Sequence, residues 1–399
     1  LQMNNTCKNF AEDNFRGISI SPVLSKVFEH CIISLNRQFF VTSDNQFGFK
    51  RSVGCSHAIY TCRRVVDKYI QCGSTVNLCA IDISKAFDRM NHNGLYIKLM
   101  QRSLPSNLLS LIENWFDKCF TCVKWNSALS SMFKLSCGVR QGGVMSLYFF
   151  AVYIDDIVCK VESSGTGCYV GLVCFSILLY ADDILLLAPS ISSLQKLLSI
   201  CEHELRLLDL AINTSKSVCT RIGPKYTDEC SYIKTLDGNH LHWVDILRYL
   251  GIYIVSGKTF RCCLDNAKKS FYRAFNAIFG KIGRSASEEV ILSLIQSKCL
   301  PCLLYGVDVC PLNKTDLRSL EFPVIKVFMK LFRTSSLPNI HEYQQYFNFP
   351  SVESCVNSRT LTFLRKYCAV NNLLCITFAS DAVQQLQVTQ VRVTDCLTR

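Results

Sequence analysis

Apolar residues fall along this chain in two rhythms. Short runs almost free of polar interruption occupy 76–82 (VNLCAID), 172–180 (LVCFSILLY) and 184–188 (ILLLA). Runs of that length suit buried strands. The last two lie either side of the Asp182-Asp183 doublet, which predicts a hairpin with the acids at its turn. Helical spacing governs other segments. After a short extended start, residues 15–40 carry Val23, Leu24, Val27, Phe28, Cys31 and Ile32 on one face, with Pro22 near the helix start. Helices are also expected over 56–70, from about Ser84 to Arg102, and over 144–158. Another is expected over 191–208 through Leu194, Leu197, Leu198, Cys201, Leu205 and Leu208. Strands near 217–222 and 248–254 complete an α+β unit.

The texture changes after residue 256. Residues 256–284 hold seven Lys or Arg against one acid, Asp265. Ala267, Phe271, Ala274, Phe275, Ile278 and Ile282 share a helical face there. Looser helical composition continues to about 375, and the last twenty residues read as a polar tail. No internal repeat or low-complexity segment is visible.

At 399 residues and 49% apolar content, the chain is long enough for two or three packed units and too apolar to be disordered. Lys and Arg number 43 against 31 Asp and Glu, a net charge of +12 that fits a polyanionic partner. The most apolar stretch, 175–188, is broken at its middle by Asp182 and Asp183, so no membrane span is expected. No signal peptide is evident, and position 1 is Leu, which suits a fragment of a longer chain. The 24 cysteines follow no framework spacing, consistent with reduced thiols in an intracellular protein. Two CxxC pairs, Cys119/Cys122 and Cys299/Cys302, lack the further ligands a zinc site needs and read as packing residues.

One Asp at a turn is explained by backbone chemistry. Two adjacent carboxylates between buried strands repel each other unless a cation is present. Divalent magnesium takes such oxygen ligands. Asp82 ends a second apolar strand, so two strand ends can bring carboxylates together. Paired metals held by such groups suit in-line nucleotidyl transfer.

These residues carry a resemblance. Leu179-Tyr180-Ala181-Asp182-Asp183 resembles the Y/F-x-D-D motif C of reverse transcriptases. The segment 80–88 (AIDISKAFD) is similar to motif A of the non-LTR (LINE-type) retrotransposon enzymes, and 138–144 (GVRQGGV) to their motif B. Asn14-Phe15-Arg16-Gly17-Ile18-Ser19 and Gln46-Phe47-Gly48-Phe49 resemble their finger motifs. Asn213-Thr214-Ser215-Lys216-Ser217 fits motif D, and Tyr249-Leu250-Gly251 the strand that follows. The blocks stand in family order over roughly residues 10–255.

The resemblance implies a right-hand polymerase fold: fingers (1–75), a palm with an antiparallel sheet (76–255), a helical thumb and connection (256–375) and the polar tail (376–399). It implies an RNA-directed DNA polymerase using an RNA template, a DNA primer and dNTPs, with two Mg2+ ions or Mn2+ in their place. Asp82 and Asp182 are then metal ligands, Asp183 stands beside them, and the Ile83 carbonyl joins the set. Lys216 is either a protonator of leaving pyrophosphate or a solvated lysine. Phe87 is either a steric gate against a 2′-hydroxyl or plain core. Gln141 either lies near the template–nucleotide pair or caps a helix. Tyr180 lies at the substrate, and Arg16 contacts the triphosphate or template phosphates. Lys268, Lys269 and Arg273 lie on the basic helix where the family places its thumb, and would track phosphates. Asp88, Asp155 and Asp156 read as structural or solvated.

Leu147 stands where the family usually has Pro. No endonuclease domain, Cys/His knuckle or RNase H signature is evident, so the chain reads as a piece of a longer element polyprotein. Target-primed copying in the family would imply the nucleus. Three rival readings stay open: a decayed remnant that only binds nucleic acid, an intron-maturase type, and a telomerase-like or cellular polymerase. The missing maturase extension argues against the second, and the missing dedicated RNA-binding domains against the third.

Overall fold

The computed structural model describes residues 2–3, 15–283 and 285–397. Strand β1 (Gln2–Met3) pairs with β2 (Phe15–Arg16). Helix α1 (Val23–Leu35) begins after Pro22, as expected, but its apolar stripe faces outward: Val23, Leu24 and Val27 are all more than half exposed. Glu29 sets that orientation. It is 4% exposed, and its carboxylate accepts the Met145 N–H at 3.0 Å near the start of another helix. An acid there satisfies an orphan donor at the positive helix end. Helix α2 (Cys55–Gln71) leads into β3 (Val76–Asp82).

The helix expected from Ser84 starts later. Residues 84–91 form turns, and the Asn91 side chain accepts the Asn93 and Gly94 N–H groups to open α3 (His92–Gln101). After α4 (Ser106–Asp117), four short strands make two small ladders: β4 (Phe120–Thr121) with β7 (Phe133–Lys134), and β5 (Lys124–Trp125) with β6 (Ala128–Leu129). The helix expected over 144–158 divides at Asp155 into α5 (Val144–Ile154) and α6 (Asp156–Ser163). Asp155 is drawn inward by the Ser43 N–H at 2.9 Å and the Arg102 guanidinium at 2.7 Å. Leu147 sits within α5, which forms without the family's Pro.

A small ladder of β8 (Tyr169–Val170) and β9 (Val173–Cys174) precedes the hairpin of β10 (Ile177–Tyr180) and β11 (Asp183–Ala188). Then come α7 (Ile191–Leu207), β12 (Val218–Ile222), β13 (Ile233–Lys234) and β14 (His240–Trp243). These build a six-stranded sheet in the order β10-β11-β3-β12-β14-β13, antiparallel except for β12 and β14. Both faces are covered, which is why its strands read as unbroken apolar runs. Cys79, Ile81, Ile184 and Leu186 pack into the core with α5 and α7. Leu78, Leu178, Leu185 and Leu187 face a second core with α2.

The strand expected over 248–254 is a hairpin of β15 (Ile246–Tyr249) and β16 (Ile252–Val255), extended by β17 (Arg261–Cys262). Its two turn residues, Leu250 and Gly251, have φ of +44° and +85°, as a two-residue hairpin turn requires.

A third core is helical: α8 (Asp265–Ile282), α9 (Glu288–Leu294), α10 (Leu300–Leu303), α11 (Lys314–Phe332) and α12 (Leu337–Tyr346) surround Phe271, Phe275, Val324 and Phe328. Helix α13 (Val352–Ala369) belongs to two cores. Val352 and Val356 enter the helical one, while Phe363, Leu364 and Tyr367 enter the core beneath α2. Short α14 (Leu373–Thr377) follows, and the segment expected to be a polar tail is instead mostly helix α15 (Ala379–Leu397). It docks on α2 through Tyr60 Oη to Gln385 Oε1 at 3.0 Å, Arg64 to Asp381 at 2.5 Å and fully buried Ala382. Its polarity misled because Asp381 and Gln385 find polar partners on α2. No helix among the described residues is long and apolar enough to cross a membrane.

Candidate active site

The sheet register fixes the acids. Strands β3 and β11 pair Asp82 with Asp183, so these two side chains share one side of the sheet. Counting by twos from Leu78 and Leu185 assigns that side to the α2 core. Asp182 lies in the two-residue turn with Ala181, next to the Tyr180–Asp183 pair, as the sequence reading of acids at the turn expects. All three acids are at least partly solvent-open: Asp183 is exposed, Asp182 intermediate, and the Asp82 side chain 37% exposed.

The segment leading into β12 holds the end of β3. The Asp82 N–H donates to Ser217 Oγ at 3.1 Å, and its carbonyl accepts the Asn213 N–H at 2.8 Å. Ser84 N–H donates to the Ala211 carbonyl at 2.9 Å, so the Ile83 carbonyl takes no part in this bridge. Lys216 lies 3.9 Å from the Asp82 carboxylate while its side chain stays 69% exposed.

The donor set consists of carboxylate oxygens on adjoining strand ends, open to solvent, and that chemistry fits a hard divalent cation. Among the described residues no three His, Cys, Asp or Glu groups already converge as a cage. The CxxC thiols do not supply one either: Cys119 and Cys299 are buried, Cys122 and Cys302 exposed.

Tyr180 is half-buried on the same side as Asp183. Burial raises its phenol pKa, with Cys55 and Tyr305 adding to the shift. Burial raises Tyr249 likewise, with Cys62 and Asp183 contributing. Tyr305 Oη donates to the Leu250 carbonyl at 2.9 Å, tying the β15–β16 turn to the helical core.

Phe87 is 8% exposed, and its ring lies 4.7 Å from that of Phe150. Its carbonyl accepts the Val139 N–H at 2.7 Å, which joins the segment after β3 to the glycine loop before α5. In that loop Gln141 Nε2 reaches Asp88 Oδ1 at 3.4 Å, and the Gln141 carbonyl accepts the Ser19 N–H at 2.9 Å. Gly142 has φ of +109°, and a Cβ there would sit 3.0 Å from the Ser19 carbonyl. The side chain of Arg16 lies outside the described residues, as does Arg284.

On α8 the expected basic trio divides. Lys269 and Arg273 are exposed. Lys268 is not: its ammonium is held by Asp265 at 2.9 Å and Ser319 Oγ at 3.0 Å. Sequence reading missed the partner surface on α11. There Lys326 lies over the Phe322 ring at 5.2 Å, and Lys330 over Phe279 at 4.5 Å. Tyr272 and Asn276 line the same groove, one helical stripe with Lys269 and Arg273.

A family profile described as "Reverse transcriptase (RNA-dependent DNA polymerase)" matches residues 7–254. Relatives include the "Probable RNA-directed DNA polymerase from transposon X-element" of Drosophila melanogaster, 31% identical over 36% of this chain and 16% of the relative. The "Retrovirus-related Pol polyprotein from type-1 retrotransposable element R2" of Popillia japonica is 23% identical over 82% of this chain and 45% of the relative. The chain thus spans less than half the length of these relatives. Among solved structures, apo telomerase from Candida Tropicalis aligns with a TM-score of 0.41 at 14% identity, covering 92% of this chain and 57% of that one.

Proposed function

The chain belongs to the reverse transcriptase (RNA-dependent DNA polymerase) family, and from that premise we propose that it copies an RNA template into DNA for a non-LTR retrotransposon. The observation that carries this reading is the Asp82–Asp183 pair on adjoining strand ends, with Asp182 in the turn beside it. The reaction joins the primer 3′-oxygen to the α-phosphorus of a dNTP and releases pyrophosphate. The family implies divalent metal; we assign two Mg2+, with Mn2+ as substitute, to Asp82, Asp182, Asp183 and the Ile83 carbonyl. Bound there, the ions would lower the pKa of the primer hydroxyl and offset phosphate charge.

The chain's own residues do the rest. Lys216, beside Asp82 yet exposed, would give a proton to departing pyrophosphate; its 3.9 Å distance from Asp82 supports this role. Phe87 would close the space under the sugar from its seat on Phe150. Gln141 and Tyr180 would line the template and nucleotide, and Arg16 the triphosphate. Residues 1–75, 76–255 and 256–375 would act as fingers, palm and thumb. Lys269, Arg273, Lys326 and Lys330 would track template–primer phosphates, the lysines of α11 beside aromatic rings. An endonuclease elsewhere in a longer polyprotein, and a nuclear site of action, accord with this reading.

Primer extension on a homopolymer RNA template with Mg2+ tests it, with Asp182→Ala as control. DNA synthesis by the native chain and none by the variant supports the reading. A folded native chain that binds template–primer without extending it would instead be a binding remnant.

A further inference from the structure

We propose that Gln46 is a positioning residue: its buried carboxamide braces the turn that carries Asp182, and through it the acids that act on the nucleotide. The proposal rests on the polymerase reading above. Gln46 is 0% exposed. Its neighbours join β10 edge to edge, with the Phe47 N–H donating to the Leu179 carbonyl and the Leu179 N–H to the Asn45 carbonyl, both at 2.8 Å. The side chain then continues past the strand end. Its Oε1 accepts the Ala181 N–H at 3.2 Å and the Gly48 N–H at 2.9 Å.

Ala181 needs such support. Its φ is +57°, a left-handed conformation that a residue with a Cβ rarely adopts. It is also buried, so water does not readily satisfy its amide. The close approach depends on Gly48, where a Cβ would stand 2.6 Å from the Ala181 nitrogen. Meanwhile Gln46 Nε2 is buried without a hydrogen-bond partner. An orphan donor is costly, and a Met of similar size would avoid that cost. The two bonds at Oε1 are what the amide supplies in exchange. Asp182 follows Ala181 directly, and misplacement of reacting groups by about 1 Å can lower a rate roughly a hundredfold.

Two measurements decide the matter. In the native chain, hydrogen exchange at the Ala181 amide should be slowed to the range of the β11 strand amides; exchange at the rate of an open loop overturns the brace. In steady-state primer extension, Gln46→Met should lower kcat about ten- to a hundredfold. Template–primer Kd and the KM for dNTP should stay within about twofold. Gln46→Glu, which in either protonation state keeps an acceptor oxygen for the Gly48 and Ala181 N–H groups, should recover most of kcat. A folded Met variant with native kcat, or a Glu variant as slow as Met, overturns the proposal. The exchange measurement needs no turnover. A chain that makes no DNA would remove the polymerase reading and still leave the brace to be judged at Ala181.

Discussion

The division of the basic trio on α8 gives the sharpest quantitative test. Replacing Lys269 and Arg273 together with Ala removes two exposed cations; replacing Lys268 removes one already committed to Asp265 and Ser319. Each phosphate contact contributes about 0.9 to the slope of log affinity against log salt. The double variant should therefore bind an RNA–DNA template–primer with a slope shallower by roughly 1.8. Between 50 and 200 mM salt, a fourfold change, the native chain should then lose about twelvefold more affinity than the double variant. Lys268→Ala should leave the slope unchanged and lower stability instead, by the roughly 0.2–1 kcal/mol of a partly exposed ion pair. Fluorescence anisotropy of labelled template–primer across a KCl series reads all three slopes. An unchanged slope in the double variant, or a loss in Lys268→Ala as large, would refute the assignment of this helix face to phosphate.

Asp82→Asn and Asp183→Ala are each expected to abolish primer extension while circular dichroism and template–primer affinity stay near native. Extension at a tenth of the native rate or more by either would remove that acid from the chemistry. Phe87→Ala should admit ribonucleotides, but its burial against Phe150 implies a stability loss of about 3–5 kcal/mol; denaturant midpoints alongside NTP/dNTP discrimination separate gate from core. His57 is buried, its Nδ1 accepts the Gly54 N–H, and burial lowers its pKa to about 4. Because the unfolded ring takes up its proton first, stability should be complete above about pH 6.5 and fall as pH drops toward 4, by about 3 kcal/mol in all. Unfolding midpoints across that window, with His57→Gln as control, check it; equal acid sensitivity in the control would refute it.

Much of the fold was legible because the apolar code is local. Strand β3 and the β10–β11 hairpin appeared as unbroken runs, since covering both sheet faces removes alternation. Helix α7 buries Leu194, Leu197, Leu198, Cys201 and Leu205 as spaced. Misreadings came where a distant group decides. The outward stripe of α1 depends on Glu29 meeting Met145, 116 residues away. The break at Asp155 depends on Arg102 and Ser43. The β15–β16 turn was hidden because Leu250 takes a conformation usual for glycine. At the site, the motif strings located the acids, but only the register reveals that Asp183 is the partner of Asp82. The string QFGF marked Gln46 without its task, since the bond to Ala181 spans 135 residues. Nothing in the spacing of α11 announced Lys326 and Lys330 as a counterpart to α8, because their rings and the groove arise only when the two helices pack.

The seating of α15 on α2 also bears on how the molecule comes into being. Tyr60 and Gln385 are 325 residues apart. At translation rates of roughly 5–20 residues per second, a ribosome takes on the order of 16–65 s to travel between them. For much of that interval α2 exists while Asp381 and Gln385, which meet it, are still untranslated. A chain cut between Gly251 and Ala379 would hold every catalytic motif yet lack the helix that meets Tyr60 and Arg64 of α2. Such a chain exposes surface that chaperones and proteases recognise, so the fate of a shortened product would turn on whether α15 is present.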